Sequence, residues 1–226
     1  VQKALRGTFS SIHVARNTQV NCSELIVPQL LEYDLAFAMN SGSEAVETGI
    51  KIARKWGYNV KGIPSDQALV LTIKDNYHGK TMGPLSASST EYIRRDFGPF
   101  VPGVSPSIDG RLIRWNNLED LEWAFQQKGN TLAALMIECV QGHAGCLPCS
   151  DEYLQGASEL CKRYRVLLIA DEIQSGFGRT GHLMAYQAAR IRPDMVTLGK
   201  AMTGGVIPMS MVVGTRECMG QLQYGE

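Results

Sequence analysis

Residues 166–205 read VLLIADEIQSGFGRTGHLMAYQAARIRPDMVTLGKAMTGG. Val166 to Ala170 is an unbroken apolar run, the pattern of a parallel strand covered on both faces. Asp171 and Glu172 follow at its carboxyl end, the edge where open α/β sheets place their ligand sites. A glycine-rich turn (Gly176 to Gly181) and a short helix lead to a second apolar run, Met195 to Leu198. That run delivers Gly199, Lys200 and then the pair Gly204-Gly205. As neighbouring parallel strands, the two runs would bring Asp171 and Lys200 to one edge of one sheet.

Outward from this stretch the chain keeps alternating strand and helix. Strands are expected near Leu35, Leu69, Leu112, Ala133, Leu167, Met195 and Ser210, about seven in all. Helices are expected over Glu44 to Trp56, Leu118 to Gln127 and Glu152 to Tyr164. The first is capped by Ser41 or Ser43 and ended by Gly57 or Gly62. The second has Asn116 or Asn117 as cap and Gly129 as terminator. The third carries Leu154, Ala157, Leu160 and Cys161 on one face. Residues 1–20 show no clean period and read as a short helix and a connection. Cys22 to Tyr33 is amphipathic, with Ser23 as cap and a bend at Pro28. The fold class is therefore α/β, a mostly parallel sheet flanked by helices.

With 226 residues the chain can bury a sizeable core. Its 22 basic and 22 acidic residues balance, which gives no support to a nucleic-acid or membrane-surface partner. No apolar run approaches the roughly 20 residues of a membrane span. The chain starts at Val1 without methionine and stops after Gly225-Glu226, so a fragment is expected, and any targeting segment would be missing from it. Six cysteines in a chain of this length do not make a disulfide framework. Cys139, His143, Cys146 and Cys149 are ligand types at suggestive spacing, but zinc would need all four to converge tetrahedrally. No metal is assigned. The thiols favour a reducing compartment; the cytoplasm is expected, with the mitochondrial matrix as the alternative.

A carboxylate and a lysine at one sheet edge can be an ordinary salt bridge. They also suit pyridoxal phosphate, which needs an amine to hold its aldehyde carbon and an anion to keep its ring nitrogen protonated. The longer motif favours the second reading. DEIQ-G-GRTG followed by GKA-GG resembles the lysine-site signature of the class III, fold type I, pyridoxal-phosphate aminotransferases. Asn40-Ser41-Gly42-Ser43-Glu44-Ala45 is a small-residue turn opening a helix, which can cradle an anion or simply cap the helix. Asn76-Tyr77-His78-Gly79-Lys80-Thr81 and the FGPF-PG segment from Phe97 are also similar to that family. The resemblance runs from about Ala4 through Val213, nearly the whole chain.

The resemblance implies the following roles. Lys200 binds the cofactor covalently and carries the proton in catalysis. Asp171 pairs with the ring nitrogen, Gln174 lies beside the phenolic oxygen, Tyr77 stacks on the ring, and Gly42 and Ser43 hold the phosphate. Lys80, Glu138 and His143 are the candidates for substrate contact. It further implies an amino-acid donor and a 2-oxo acid acceptor, with the family's ornithine-using members most similar: the δ-amino group of ornithine would pass to 2-oxoglutarate. A homodimer or higher homo-oligomer is expected. Residues 1–34 would be a helical lead-in and 35–226 the cofactor-binding large domain, with a carboxyl-terminal small domain absent.

Two positions depart from the ornithine-using pattern. Lys80 stands where arginine is usual, keeping the charge but losing the planar two-pronged geometry. His143 stands where an acid is usual, and a histidine carries no negative charge. These departures keep acetylornithine, 4-aminobutyrate or another ω-amine open as donor, and a catalytically inactive remnant open as well. Gly176 to Gly181 formally matches G-x-G-x-x-G, but the acids Asp171 and Glu172 intervene between strand and glycines, and no acidic strand end follows at the required distance. A dinucleotide site is rejected on that context.

Overall fold

The computed structural model describes residues 31–223 and 225–226. The expectations for residues 1–30, the Ser23 cap and the Pro28 bend among them, lie outside the described residues. Seven strands form the main sheet: β1 (Leu35–Met39), β2 (Leu69–Leu71), β3 (Val104–Ser105), β4 (Leu132–Glu138), β5 (Leu167–Asp171), β6 (Met195–Leu198) and β7 (Ser210–Gly214). Their spatial order is β1-β7-β6-β5-β4-β2-β3. From β6 across to β3 every pairing is parallel, while β7 runs antiparallel to both its neighbours, β1 and β6.

β4 and β5 are buried at every position, as their apolar runs require of strands covered on both faces. The covering follows the period-2 alternation of strand side chains. Met136, Ile169, Met195 and Val212 pack with Val46, Ile50 and Ala53 of helix α1 (Gly42–Trp56). The intervening Leu135, Ile137, Leu168 and Val196 pack on the opposite side. There they meet Leu121 and Phe125 of α2 (Leu118–Lys128) and Leu154 and Ala157 of α3 (Asp151–Tyr164). Each such fully buried aliphatic or aromatic side chain contributes about 1.5–3 kcal/mol relative to exposure. Continuing the same alternation puts Glu138, Asp171 and Thr197 on the α1 side at the carboxyl ends of their strands.

The α1 boundary shows why the sequence breaks where it does. Ser41 caps the helix, and Glu44 reaches back to the Ser41 amide at 2.6 Å, a capping box. At the far end the helix widens by one turn over Gly57–Lys61 and stops at Gly62, whose φ of 80° suits a glycine. Asn117 caps α2 and Ser150 caps α3. The expected short helix before β6 is a single 3-10 turn, Ala185–Gln187.

One expected strand of the sheet is elsewhere. Arg111–Leu112 pairs not with the main sheet but with Ser107–Ile108 in a small hairpin. The turn is Asp109-Gly110, with φ of 47° and 83°. Both central residues are left-handed, as a tight hairpin turn of this twist demands. Leu112 is 40% exposed, so it has no buried face to offer a sheet. The edge position falls to Val104–Ser105, which pairs with β2. No helix among the described residues is long and apolar enough to cross a membrane.

Candidate active site

Parallel register sets Glu138, Asp171 and Thr197 abreast: Glu138 is opposite Asp171, and Asp171 is opposite Thr197. Asp171 is buried and has a hydrogen-bond partner on each oxygen. Its Oδ1 accepts from the Thr197 hydroxyl at 3.0 Å and the Ile173 amide at 3.1 Å, and its Oδ2 lies 2.6 Å from His78 Nδ1. Glu138, also buried, accepts the Tyr77 amide at 2.9 Å. His78 is brought in by the loop after β2, and its Nε2 has no partner among the described residues.

The electrostatics of this cluster follow from its burial. Loss of water pushes the Glu138 carboxyl up, and Asp171 adds to this; His78 and the amides of Tyr77 and Gly142 oppose it, leaving Glu138 at about 7. Burial alone would push the His78 imidazole down. The Asp171 hydrogen bond and the charges of Asp171 and Glu138 together outweigh that, so the net shift of His78 is upward.

The amino end of α1 meets this edge. Glu44 takes the amides of Asn40 and Ser41, and Ser41 takes that of Glu44. The Gly42 and Ser43 amides are left as first-turn donors without a partner among the described residues. A side chain at Gly42 would press on Ile173 at 3.1 Å, and one at Gly79, where φ is 126°, would collide with the Ser43 hydroxyl. Ile173 also lies against Gly199, where an added Cβ would be 3.3 Å away. Small residues thus let the helix end, the turn after β2 and the turn after β6 close on one another.

Lys200 opens a one-turn 3-10 helix just past β6, with φ of 41°, and is exposed. The partners of Asp171 are His78, Thr197 and Ile173, so among the described residues the lysine and the acid do not form the ordinary salt bridge. They do share the sheet edge, because β5 and β6 are parallel neighbours.

At the outer side, the Tyr77 ring stacks on His143, with centroids 5.0 Å apart at 30°. The Tyr92 hydroxyl lies 2.7 Å from His143 Nε2. The Gln174 amide packs against Gly142, where an added Cβ would strike it. Lys80 is exposed and forms no ion pair among the described residues. Among the candidate residues, then, Asp171 and Glu138 are joined, Tyr77 is joined to both Glu138 and His143, and Ser43 meets the Gly79 turn. Lys80 stands apart. Sequence reasoning missed His78, Thr197 and Tyr92. The visible signal for His78 was a titratable side chain just beyond a strand whose neighbours end in acids. Among the described residues, no group of three or more His, Cys, Asp or Glu side chains is placed to hold a metal ion.

A parallel-sheet edge joining buried acids, a lysine turn and an open helix end defines the class. The chain matches the class-III aminotransferase family over residues 1–226 and belongs to it. Within that class it is closely similar to proteins named ornithine aminotransferase. It is 44% identical to an ornithine aminotransferase of Emericella nidulans, over all of this chain and 50% of that protein. The crystal structure of the ornithine aminotransferase from Toxoplasma gondii superposes with a TM-score of 0.91 at 38% identity, covering 99% of this chain and 51% of that one. The acetylornithine aminotransferase of Elizabethkingia anophelis superposes at 0.83 with 35% identity, covering 100% and 53%. The chain spans about half the length of the curated relatives it matches.

The comparisons overturn one expectation, the cytoplasmic location. A relative from Arabidopsis thaliana is named "Ornithine aminotransferase, mitochondrial", and one from Caenorhabditis elegans "Probable ornithine aminotransferase, mitochondrial"; each is 41% identical to this chain.

Proposed function

We propose that this chain is the cofactor-binding part of an ornithine aminotransferase, which moves the δ-amino group of L-ornithine to 2-oxoglutarate with pyridoxal phosphate. The observation that carries the reading is the buried, three-donor Asp171 at the same sheet edge as a lysine with which it forms no ion pair. The donor set fits the cofactor. Asp171 would face the ring nitrogen, Tyr77 the ring, Gln174 the phenolic oxygen, and the amides of Gly42 and Ser43 the phosphate. Lys200 would hold the aldehyde carbon. When bound, pyridoxal phosphate draws electrons from the donor carbon and so makes its proton removable. Lys200 Nζ would then be the base that takes this proton and the acid that returns it. Glu138, Lys80 and His143 are the substrate-side residues of this reading.

The names of the fungal and apicomplexan relatives support ornithine as donor. A second reading, acetylornithine or another ω-amine, is favoured by Lys80 and His143 and by the likeness to the Elizabethkingia enzyme. We take residues 35–226 as the cofactor domain, a homo-oligomer as the working assembly, and a mitochondrial location after the plant and nematode relatives. The deciding experiment is to add pyridoxal phosphate, reduce with borohydride and map the modified lysine by mass spectrometry. Modification of Lys200 is expected; modification of another lysine instead removes the site assignment.

A further inference from the structure

We propose that Tyr92 is a positioning residue for donor choice: its hydroxyl holds His143 against Tyr77 so that the imidazole offers an N–H to a carboxylate at the far end of the donor. The inference rests on the reading of the cofactor site given above and bears on the choice between its two donor classes.

Three separate segments meet here. Tyr77 lies in the loop after β2, Tyr92 in the four-residue helix Glu91–Arg94, and His143 in the turn between the paired segments Val140–Gln141 and Leu147–Pro148. The imidazole centroid is 5.0 Å from the Tyr77 ring at 30° and 6.3 Å from the Tyr92 ring at 32°. Tyr77 is itself tied to the strand-end acids, its amide donating to Glu138 at 2.9 Å. Tyr92 is 66% exposed, so burial does not account for its place. Its one side-chain hydrogen bond among the described residues is the 2.7 Å contact with His143 Nε2.

That bond decides what His143 can offer. A phenol hydroxyl donates to an imidazole nitrogen, so Nε2 accepts and the proton of the neutral ring sits on Nδ1. Nδ1 has no partner among the described residues, and the side chain is exposed. A second proton would leave Nδ1 a donor still, with the Tyr92 oxygen accepting from Nε2 instead. His143 therefore shows an N–H in either charge state. A carboxylate at the same position shows only acceptors, which suit an ammonium. The imidazole thus favours donors whose far end is a carboxylate with no free ammonium beside it, and an acid favours the reverse.

The test uses three reduced conjugates of pyridoxal phosphate, made with 4-aminobutyrate, butylamine and 1,3-diaminopropane. They share one chain and end it in a carboxylate, a methyl group or an ammonium. Affinities are measured by fluorescence titration of the protein. Wild type should bind the carboxylate conjugate most tightly. Tyr92→Phe should weaken that conjugate about threefold to fivefold, the scale of one exposed hydrogen bond, and the other two by less than about twofold. His143→Ala should weaken it at least as much, and adding Tyr92→Phe to His143→Ala should cost less than about twofold more, because Tyr92 acts through the imidazole. In the 15N spectrum of the neutral ring, wild-type His143 should carry its proton on Nδ1, and Tyr92→Phe should mix the two tautomers. Equal losses for all three conjugates in Tyr92→Phe would make the residue merely structural and overturn the proposal. So would a full Tyr92→Phe loss that persists without His143, an already mixed wild-type tautomer, or a wild type that does not favour the carboxylate. Each of these leaves the cofactor site standing. Failure of all three conjugates to bind wild type overturns the reading of the site and the proposal with it.

Discussion

Asp120 and Glu138 are both buried acids, and they sit in opposite electrostatic worlds. Asp120, in the first turn of α2, is met by Arg111, by Arg114 Nε at 2.7 Å and Nη2 at 3.0 Å, and by the Arg114 amide at 3.1 Å. The Arg114 hydrogen bond, foremost among these, holds its carboxyl well below the usual carboxylate range. Glu138, at the end of β4, has the Tyr77 and Gly142 amides and faces Asp171 across the strand pair, and burial pushes it up to about 7. Burial is common to both, so it is not what separates them. Supply of donors is. An acid whose neighbours meet every lone pair belongs to the scaffold. One kept short of donors beside a like charge is destabilised where it stands, and such groups concentrate at functional sites.

The largest effect that tests this contrast lies at the site itself. Lys200→Ala should abolish the borohydride-reducible adduct outright, with the Asp120 region and the fold untouched as judged by circular dichroism. An adduct that persists on another lysine would break the assignment of this edge as the active one.

Next come two opposite pH slopes. Glu138 is raised from 4.5 to about 7 on folding. Its contribution is fully present below pH 4.5 and lost as pH rises through 7, because the folded state keeps the proton longer. The stability difference between wild type and Glu138→Gln should therefore shift toward the variant by as much as ~3 kcal/mol across that window. Urea unfolding at several pH values measures it, and a constant difference would place Glu138 with the satisfied acids. His78 adds a second loss in the same direction above pH 6.5, which Glu138→Gln reduces by removing one of the charges that raise it but does not abolish, since the Asp171 hydrogen bond remains. Asp120 runs the other way: its folded value lies below 3.8, so its contribution is present above that pH and disappears on acidification. Asp120→Ala should cost about 2 kcal/mol at neutral pH, discounted because Arg111 and Arg114 are 44% and 59% exposed. A cost near zero would mean the two guanidiniums are solvated equally well without it.

The sequence was most legible where local pattern and tertiary position coincide. The unbroken apolar runs became β4 and β5, and the Ser41–Glu44 capping box opened α1 where small residues predicted a turn. Leu112 misled because a strand-like residue does not say which sheet it joins; the left-handed Asp109-Gly110 turn folded it back onto Ser107–Ile108 instead. Val104–Ser105 is too short to show a pattern, and only pairing with β2 makes it a strand. His78 was overlooked for a different reason. Its meaning lies in Asp171, 93 residues away, and no local period encodes that distance.

His143 supplies the smallest and sharpest test, because it offers a third environment: an exposed side chain on the solvent side of Glu138. It is held by stacking on Tyr77 and by the Tyr92 hydroxyl rather than by charge. His143→Glu would place another carboxylate near Glu138, on the solvent side. Solvent screening limits the repulsion to ~0.4 kcal/mol, so the pH midpoint of the Glu138 transition should rise by only about 0.3 unit. The same change installs the acid that the resemblance to the ornithine-using pattern implies at this position. In a full-length enzyme it should raise activity on ornithine relative to 4-aminobutyrate by a few-fold, about 1 kcal/mol of differential binding. An altered ratio with an unmoved midpoint would mean that His143 acts on the substrate directly. A moved midpoint with an unaltered ratio would mean that it tunes Glu138 and leaves donor choice to other residues, with Lys80 the next to change.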